Sequence, residues 1–207
     1  MNFANKLTLT RVLLVPFFIV FIEIGGFALS ILALLVFSIA SITDFFDGRY
    51  ARKHNLVTSF GVFLDPLADK LLISSAFICL LDISFLQIPA WMVIAIISRE
   101  FIITGFRTIA MSKSVVIPAD KSGKFKTSFQ IVVIIISLFI IIIKEGFLKF
   151  YNVNFDMIAL FDSGAYGTLA MLLDNIPFWA VLIATVLTIY SGANYIWKYR
   201  YLLKDNG

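Results

Sequence analysis

Residues 44–69 read DFFDGRYARKHNLVTSFGVFLDPLAD, and the rest of the chain is organised around them. Four aspartates stand in this stretch: Asp44, Asp47, Asp65 and Asp69. The first two are three residues apart and the last two four apart. Both separations put a pair of carboxylates on one face of a helix. Apolar runs flank the stretch on both sides, which sets the acids at the ends of membrane-crossing helices. Four carboxylates facing one another in a poorly hydrated place repel. Hard divalent cations with oxygen ligands are the natural counter-charge.

Composition bounds the class. The chain has 207 residues, of which 60% are hydrophobic and only 14% charged, and its mean hydropathy is +0.97. That much apolar sequence at this length excludes an ordinary soluble domain and predicts an all-α, polytopic membrane protein. No linker divides it, so a single domain over residues 1–207 is expected. The one cysteine, Cys79, lies in an apolar run and reads as a small buried hydrophobe. The net charge of +4 is not a nucleic-acid signal, because the charges sit in short segments beside the apolar runs, where they report topology.

Going outward from the aspartates, the apolar pattern predicts six spans. The opening MNFANKLTLTR resembles the start of a signal peptide but lacks a clean small-residue cleavage site, so an uncleaved first helix over 7–24 is expected. Gly25 and Gly26 make the first turn, and a second span from Phe27 stays uncharged to Thr43. Arg49, Arg52, Lys53 and His54 form a basic connection to a third span over 57–81. Pro66 stands either at a first helical position capped by Asp65 or inside a helix begun near Thr58. Pro89 opens a fourth span, which holds Arg99 and Glu100 and ends near Arg107. A basic loop over 107–126 leads to a fifth span over 127–143. A mixed segment, 144–174, reads as a stretch along the outer membrane face, and the last span is 175–197. The N-terminus, the 49–53 and 107–126 loops and the C-terminal tail hold thirteen of the 17 Lys and Arg residues. The positive-inside rule then puts both termini and the aspartates at the cytoplasmic boundary.

A charged group inside a membrane bundle is expensive, and its presence points to function. Gly48 directly follows Asp47, and Gly61 lies one helical turn before Asp65; glycine there lets a ligand or a neighbouring helix approach the backbone. Arg52 offers a bidentate fork for phosphate oxygens. No serine, cysteine or histidine is placed as a covalent nucleophile, which favours direct displacement. His54 reads as a solvated loop residue. Arg107, Lys124 and Lys126 cluster at the same boundary as the aspartates, forming a cationic pocket suited to a ligand that carries phosphate. Arg99 and Glu100 read as a pair that lowers its own cost within the bundle.

The pattern Asp44-x2-Asp47-Gly48-x2-Ala51-Arg52-x8-Gly61-x3-Asp65-x3-Asp69 resembles the full signature of the CDP-alcohol phosphotransferase family, eight positions without a gap. The resemblance implies a six-transmembrane-helix bundle with a cytoplasmic active site, a homodimer, and transfer of a phosphate-ester group from a CDP-linked donor to an alcohol with release of CMP. It implies that Asp44, Asp47, Asp65 and Asp69 bind two divalent ions, Mg2+ or Mn2+, and that Asp69 is the general base for the acceptor hydroxyl. Gly48, Ala51, Arg52 and Gly61 match positions that contact the CDP moiety. The tracts FGVFLDPLADK, REFIITGFR (99–107) and DKSGKFKTSFQ (120–130) resemble the bacterial phosphatidylglycerophosphate synthase branch. That branch implies CDP-diacylglycerol as donor and glycerol 3-phosphate as acceptor, the latter held by Arg107, Lys124 and Lys126, in the cell (inner or plasma) membrane with lipid around it. The opening keeps Asn5, Leu7, Thr8 and Arg11 of the branch but lacks its early proline. Two rivals stand beside this reading. One is the same chemistry with phosphatidylglycerol, serine or inositol phosphate as acceptor; the other is a divalent-cation transporter, which predicts acids near mid-bilayer instead of at one boundary.

Overall fold

The structure is a computed structural model. It describes the backbone of residues 3–53, 59–112, 115, 121–153 and 164–200, with the side chains of 3–5, 44–53, 59–66, 112, 121–122, 124, 165–166 and 169 outside the description. The described residues form six α-helices and one 3-10 turn: α1 (Phe3–Ile24), α2 (Phe27–Lys53), α3 (Ser59–Asp82), the turn Ser84–Leu86, α4 (Ala90–Ser112), α5 (Lys121–Tyr151) and α6 (Ala165–Tyr199).

The helices are apolar on two sides. On α1, Thr8, Arg11, Val15, Phe18 and Ile22 recur at spacings of three and four and are all buried. The opposite side carries Leu13, Phe17, Val20 and Ile24, all exposed and as apolar as the core. Exposed apolar faces recur on every helix, as with Leu35 and Ile39 on α2, Ile94 and Phe101 on α4, and Ile183 and Val186 on α6. Such surfaces suit hydrocarbon, not water. Three helices among the described residues are long and apolar enough to cross a bilayer, over Lys6–Ile24, Phe125–Tyr151 and Ala170–Tyr199, and α2 adds a shorter apolar stretch, Phe27–Thr43. The chain is a polytopic helical membrane protein.

α1 packs against α2 and α3; α5 packs against α2, α3 and α6; α4 rests on α3 and α6. Small residues at the contacts (Ala33 and Ala40 on α2, Ala68 and Ala76 on α3, Ala184 on α6) are fully buried and let the backbones approach. Between them Phe18 and Phe37 meet at 5.8 Å. Gly25 and Gly26 both have positive φ, 69° and 92°, the left-handed turn that glycine permits. The carboxylate of Glu145 on α5 accepts from the Gly26 N–H at 2.9 Å and from the Ser30 hydroxyl, so α5 fixes the start of α2.

Helix ends differ from the sequence expectation in a consistent direction. α2 continues through Arg49, Arg52 and Lys53 instead of stopping before a basic loop, and α3 begins at Ser59 and runs through Pro66. α5 begins at Lys121 and reaches Tyr151, and α6 begins at Ala165. The segment 144–174 is therefore largely helical at both ends, not one interfacial stretch, with 154–163 outside the described residues. A helix stops where its backbone pattern stops, at glycine, proline or an unfavourable cap, and Lys, Arg, Glu and Leu all sustain it beyond the hydrocarbon. Charge marks the membrane boundary and not the end of the helix. His54 lies outside the described residues.

Candidate active site

Asp44 and Asp47, with Gly48, Ala51 and Arg52, stand on the last turns of α2; Gly61, Asp65 and Asp69 stand on the first half of α3. The two helices are in contact. Topology thus brings both halves of the signature to one end of one helix pair. Of these side chains only Asp69 is described; those of the other signature residues and of Lys124 lie outside the description. Asp69 is half-buried. With Lys70, Ile73 and Ser74 of α3, Ile96 and Glu100 of α4 and Thr127 of α5, it lines a small cleft between three helices.

The wall opposite α3 carries a charged cluster. Lys126, expected on a basic loop, is 3% exposed inside the bundle and is ion-paired to Glu100 Oε1. Arg99 Nη1 lies 3.7 Å from the same oxygen. Arg99 and Glu100 do pair as expected, but only as part of a three-residue group that reaches α5. Arg99 Nη2 also donates to Ser191 Oγ on α6 at 3.0 Å. Its side chain runs so close to Gly192 that a Cβ there would sit 2.8 Å from Arg99 Cγ. One turn further along α5, Gln130 Nε2 donates to Thr188 Oγ1 at 3.0 Å, both buried.

Arg107 is placed differently from Lys126. It is exposed on α4, its Nε donates to the Tyr195 hydroxyl at 3.4 Å, and its guanidinium lies 5.6 Å from that ring's centroid. Tyr195 is itself buried edge-on against Phe106. Arg107 is not part of the lining of the Asp69 cleft, although it is within Coulomb range of Lys70, which is. The structure therefore brings Asp69 and Glu100 to one cleft, with Lys126 held behind it on Glu100, and sets Arg107 at its periphery.

Glu100, Thr127 and Tyr195 are site neighbours that the sequence reading did not assign. For Glu100 a signal existed: an acid inside an apolar helix demands a cation. Arg11 is a second such residue, 1% exposed on the helix that packs against α2 and α3. Among the described residues no group of three or more metal-ligating side chains is formed.

The family model of the CDP-alcohol phosphatidyltransferases matches residues 1–190, and the chain belongs to that family. Among curated proteins it is 47% identical over 145 residues to a Bacillus subtilis protein named CDP-diacylglycerol–glycerol-3-phosphate 3-phosphatidyltransferase, a match covering 64% of this chain and 74% of the relative. A Rickettsia bellii protein of the same name is 43% identical over 130 residues, 62% of this chain and 70% of the relative.

Proposed function

We propose that the chain transfers the phosphatidyl group of CDP-diacylglycerol to glycerol 3-phosphate, releasing CMP and forming phosphatidylglycerol phosphate. The observation that carries this reading is the cleft lined by both Asp69 and Glu100, the latter ion-paired to Lys126, in a chain of this family. The acceptor's hydroxyl oxygen attacks the phosphorus that bears the diacylglycerol ester. Its proton passes to the Asp69 carboxylate, and the bond from that phosphorus to the bridging oxygen breaks, leaving the electron pair on CMP. Lys126, together with Lys124 and Arg107, draws in the acceptor's phosphate. Gly48, Ala51, Arg52 and Gly61 hold the CDP moiety. The lipid tails lie between helices.

The family is divalent-metal dependent, and the residues present fit such ions. Carboxylate oxygen is the donor that hard ions prefer, and the helices carrying Asp44, Asp47, Asp65 and Asp69 touch. We assign these four to two ions, Mg2+ or Mn2+, whose chemistry is to neutralise the pyrophosphate and the departing CMP. We further read residues 1–207 as one domain with six spans, in the cell membrane, with both termini and the site on the cytoplasmic side and the protein a homodimer. The distribution of Lys and Arg supports the orientation, and the family resemblance supports the dimer.

The test is CMP release by purified protein in detergent with CDP-diacylglycerol and magnesium, the acceptor being glycerol 3-phosphate, serine, phosphatidylglycerol or inositol phosphate. Release with glycerol 3-phosphate alone is expected. Release with another acceptor instead would keep the transfer chemistry and discard the acceptor. No release with any of them would return the aspartates to the cation-transit reading.

A further inference from the structure

Arg99 and Lys126 converge on a single carboxylate oxygen, Oε1 of Glu100. The group is largely buried: Lys126 side-chain exposure is 3%, that of Arg99 12% and that of Glu100 18%. Two cations on one carboxylate leave an excess positive charge in a place of low polarity, which favours one further anion. Arg99 Nε is also buried with no hydrogen-bond partner among the described residues. Glu100 lines the same cleft as Asp69, and Asp69, Lys70 and Arg99 all act on the Lys126 ammonium through space. The cluster thus lies beside the proposed base, not in a remote part of the bundle.

We propose that Glu100 is a positioning residue that acts through Lys126: it holds Lys126 and Arg99 in place as an internal anion while the cleft is empty, and competes with the acceptor's phosphate for them when the cleft fills. This inference rests on the proposed reaction for its substrate, and on the geometry alone for its anion. The covalent chemistry is unchanged; Glu100 neither gives nor takes a proton in the transfer. Its carboxylate tunes how tightly the anionic end of the acceptor is held, so acceptor and product both leave readily.

Glu100→Gln keeps an oxygen for the Lys126 ammonium and removes the competing charge. The expected result is a fall of about tenfold in KM for glycerol 3-phosphate, the scale of one partly buried charge interaction. Inorganic phosphate should become a stronger competitive inhibitor by a similar factor, with KM for CDP-diacylglycerol unchanged. Glu100→Asp should return both values toward those of the unaltered protein. A KM for glycerol 3-phosphate that stays the same or rises, with only kcat reduced, would overturn the proposal and leave Glu100 a structural partner. Binding of inorganic phosphate, followed by thermal shift in detergent without donor or acceptor, separates the two readings. If the unaltered protein turns over no acceptor, the proposed function fails, yet tighter phosphate binding in Glu100→Gln still supports the internal anion, and equal or weaker binding overturns it. Should Glu100→Gln not fold, Lys126→Met carries the test: phosphate binding weakened about tenfold supports the proposal, and unaltered binding overturns it.

Discussion

Two buried lysines on α5 carry opposite lessons. Lys126 and Lys144 stand about 27 Å apart along the helix axis at the usual rise per residue, close to the thickness of a bilayer's hydrocarbon. Each is buried and each is paired to an acid on a neighbouring helix, Lys126 to Glu100 and Lys144 to Asp174. At Lys144 the described ion pair is with Asp174, and the ammonium also sits 4.1 Å from the Phe85 ring centroid. The adjacent Glu145 is consumed in fixing Gly26 and Ser30. That end joins α2, α5 and α6. At Lys126 two cations share one carboxylate on the wall of a cleft that also contains Asp69. Burial and pairing are common to both ends, so neither identifies a site. What sets the Lys126 end apart is a second cation on the carboxylate, beside a cleft.

The sharpest break between the ends comes from metal removal. A chelator should abolish CMP release, and magnesium or manganese should restore it, while the thermal transition associated with the Lys144 end changes little; release that persists without metal would contradict the four-aspartate assignment. Next in size is Asp69→Asn, expected to lower kcat by about 10²- to 10⁴-fold, the usual worth of a general base, with KM for CDP-diacylglycerol nearly unchanged. Steady-state kinetics check it, and near-normal turnover would remove Asp69 from the base role. At the opposite end, Lys144→Met strands Asp174 and should cost about 3–5 kcal/mol of stability, read as thermal unfolding in detergent. The double change Lys144→Met with Asp174→Leu should recover most of that loss. A smaller effect is expected at α6, where Gly192→Ala crowds Arg99 Cγ and should cost about 1–3 kcal/mol through overpacking. Gly105 on α4, where a Cβ meets nothing within 4 Å, is the control: Gly105→Ala should stabilise by about 0.5–1 kcal/mol.

What could be read in advance followed local rules. The Gly25–Gly26 turn, the start of α4 after Pro89 and the helical spacing of the aspartates are properties of a few neighbouring residues, and they were legible as such. The lengths of α2, α5 and α6 were not, because hydropathy reports the bilayer and a helix outlasts it. The Glu100–Lys126 contact was hidden for a different reason. It joins two helices, and nothing in either segment alone specifies their rotation about each other. Lys126 therefore reads from sequence as the end of a basic loop over 107–126 that forms a cationic pocket, whereas it lies buried on the first turns of α5. Arg107 and Lys126, grouped by their shared boundary and sign, have different partners: one leans on Tyr195 and the other faces Glu100.

The most direct measurement is the KM for glycerol 3-phosphate of Lys126→Met and Lys144→Met, determined side by side in the same detergent. The account predicts a rise of about tenfold or more for Lys126→Met, with KM for CDP-diacylglycerol unmoved, and values close to those of the unaltered protein for Lys144→Met despite its lower stability. Equal effects of the two substitutions, or a shift confined to CDP-diacylglycerol in Lys126→Met, would contradict it.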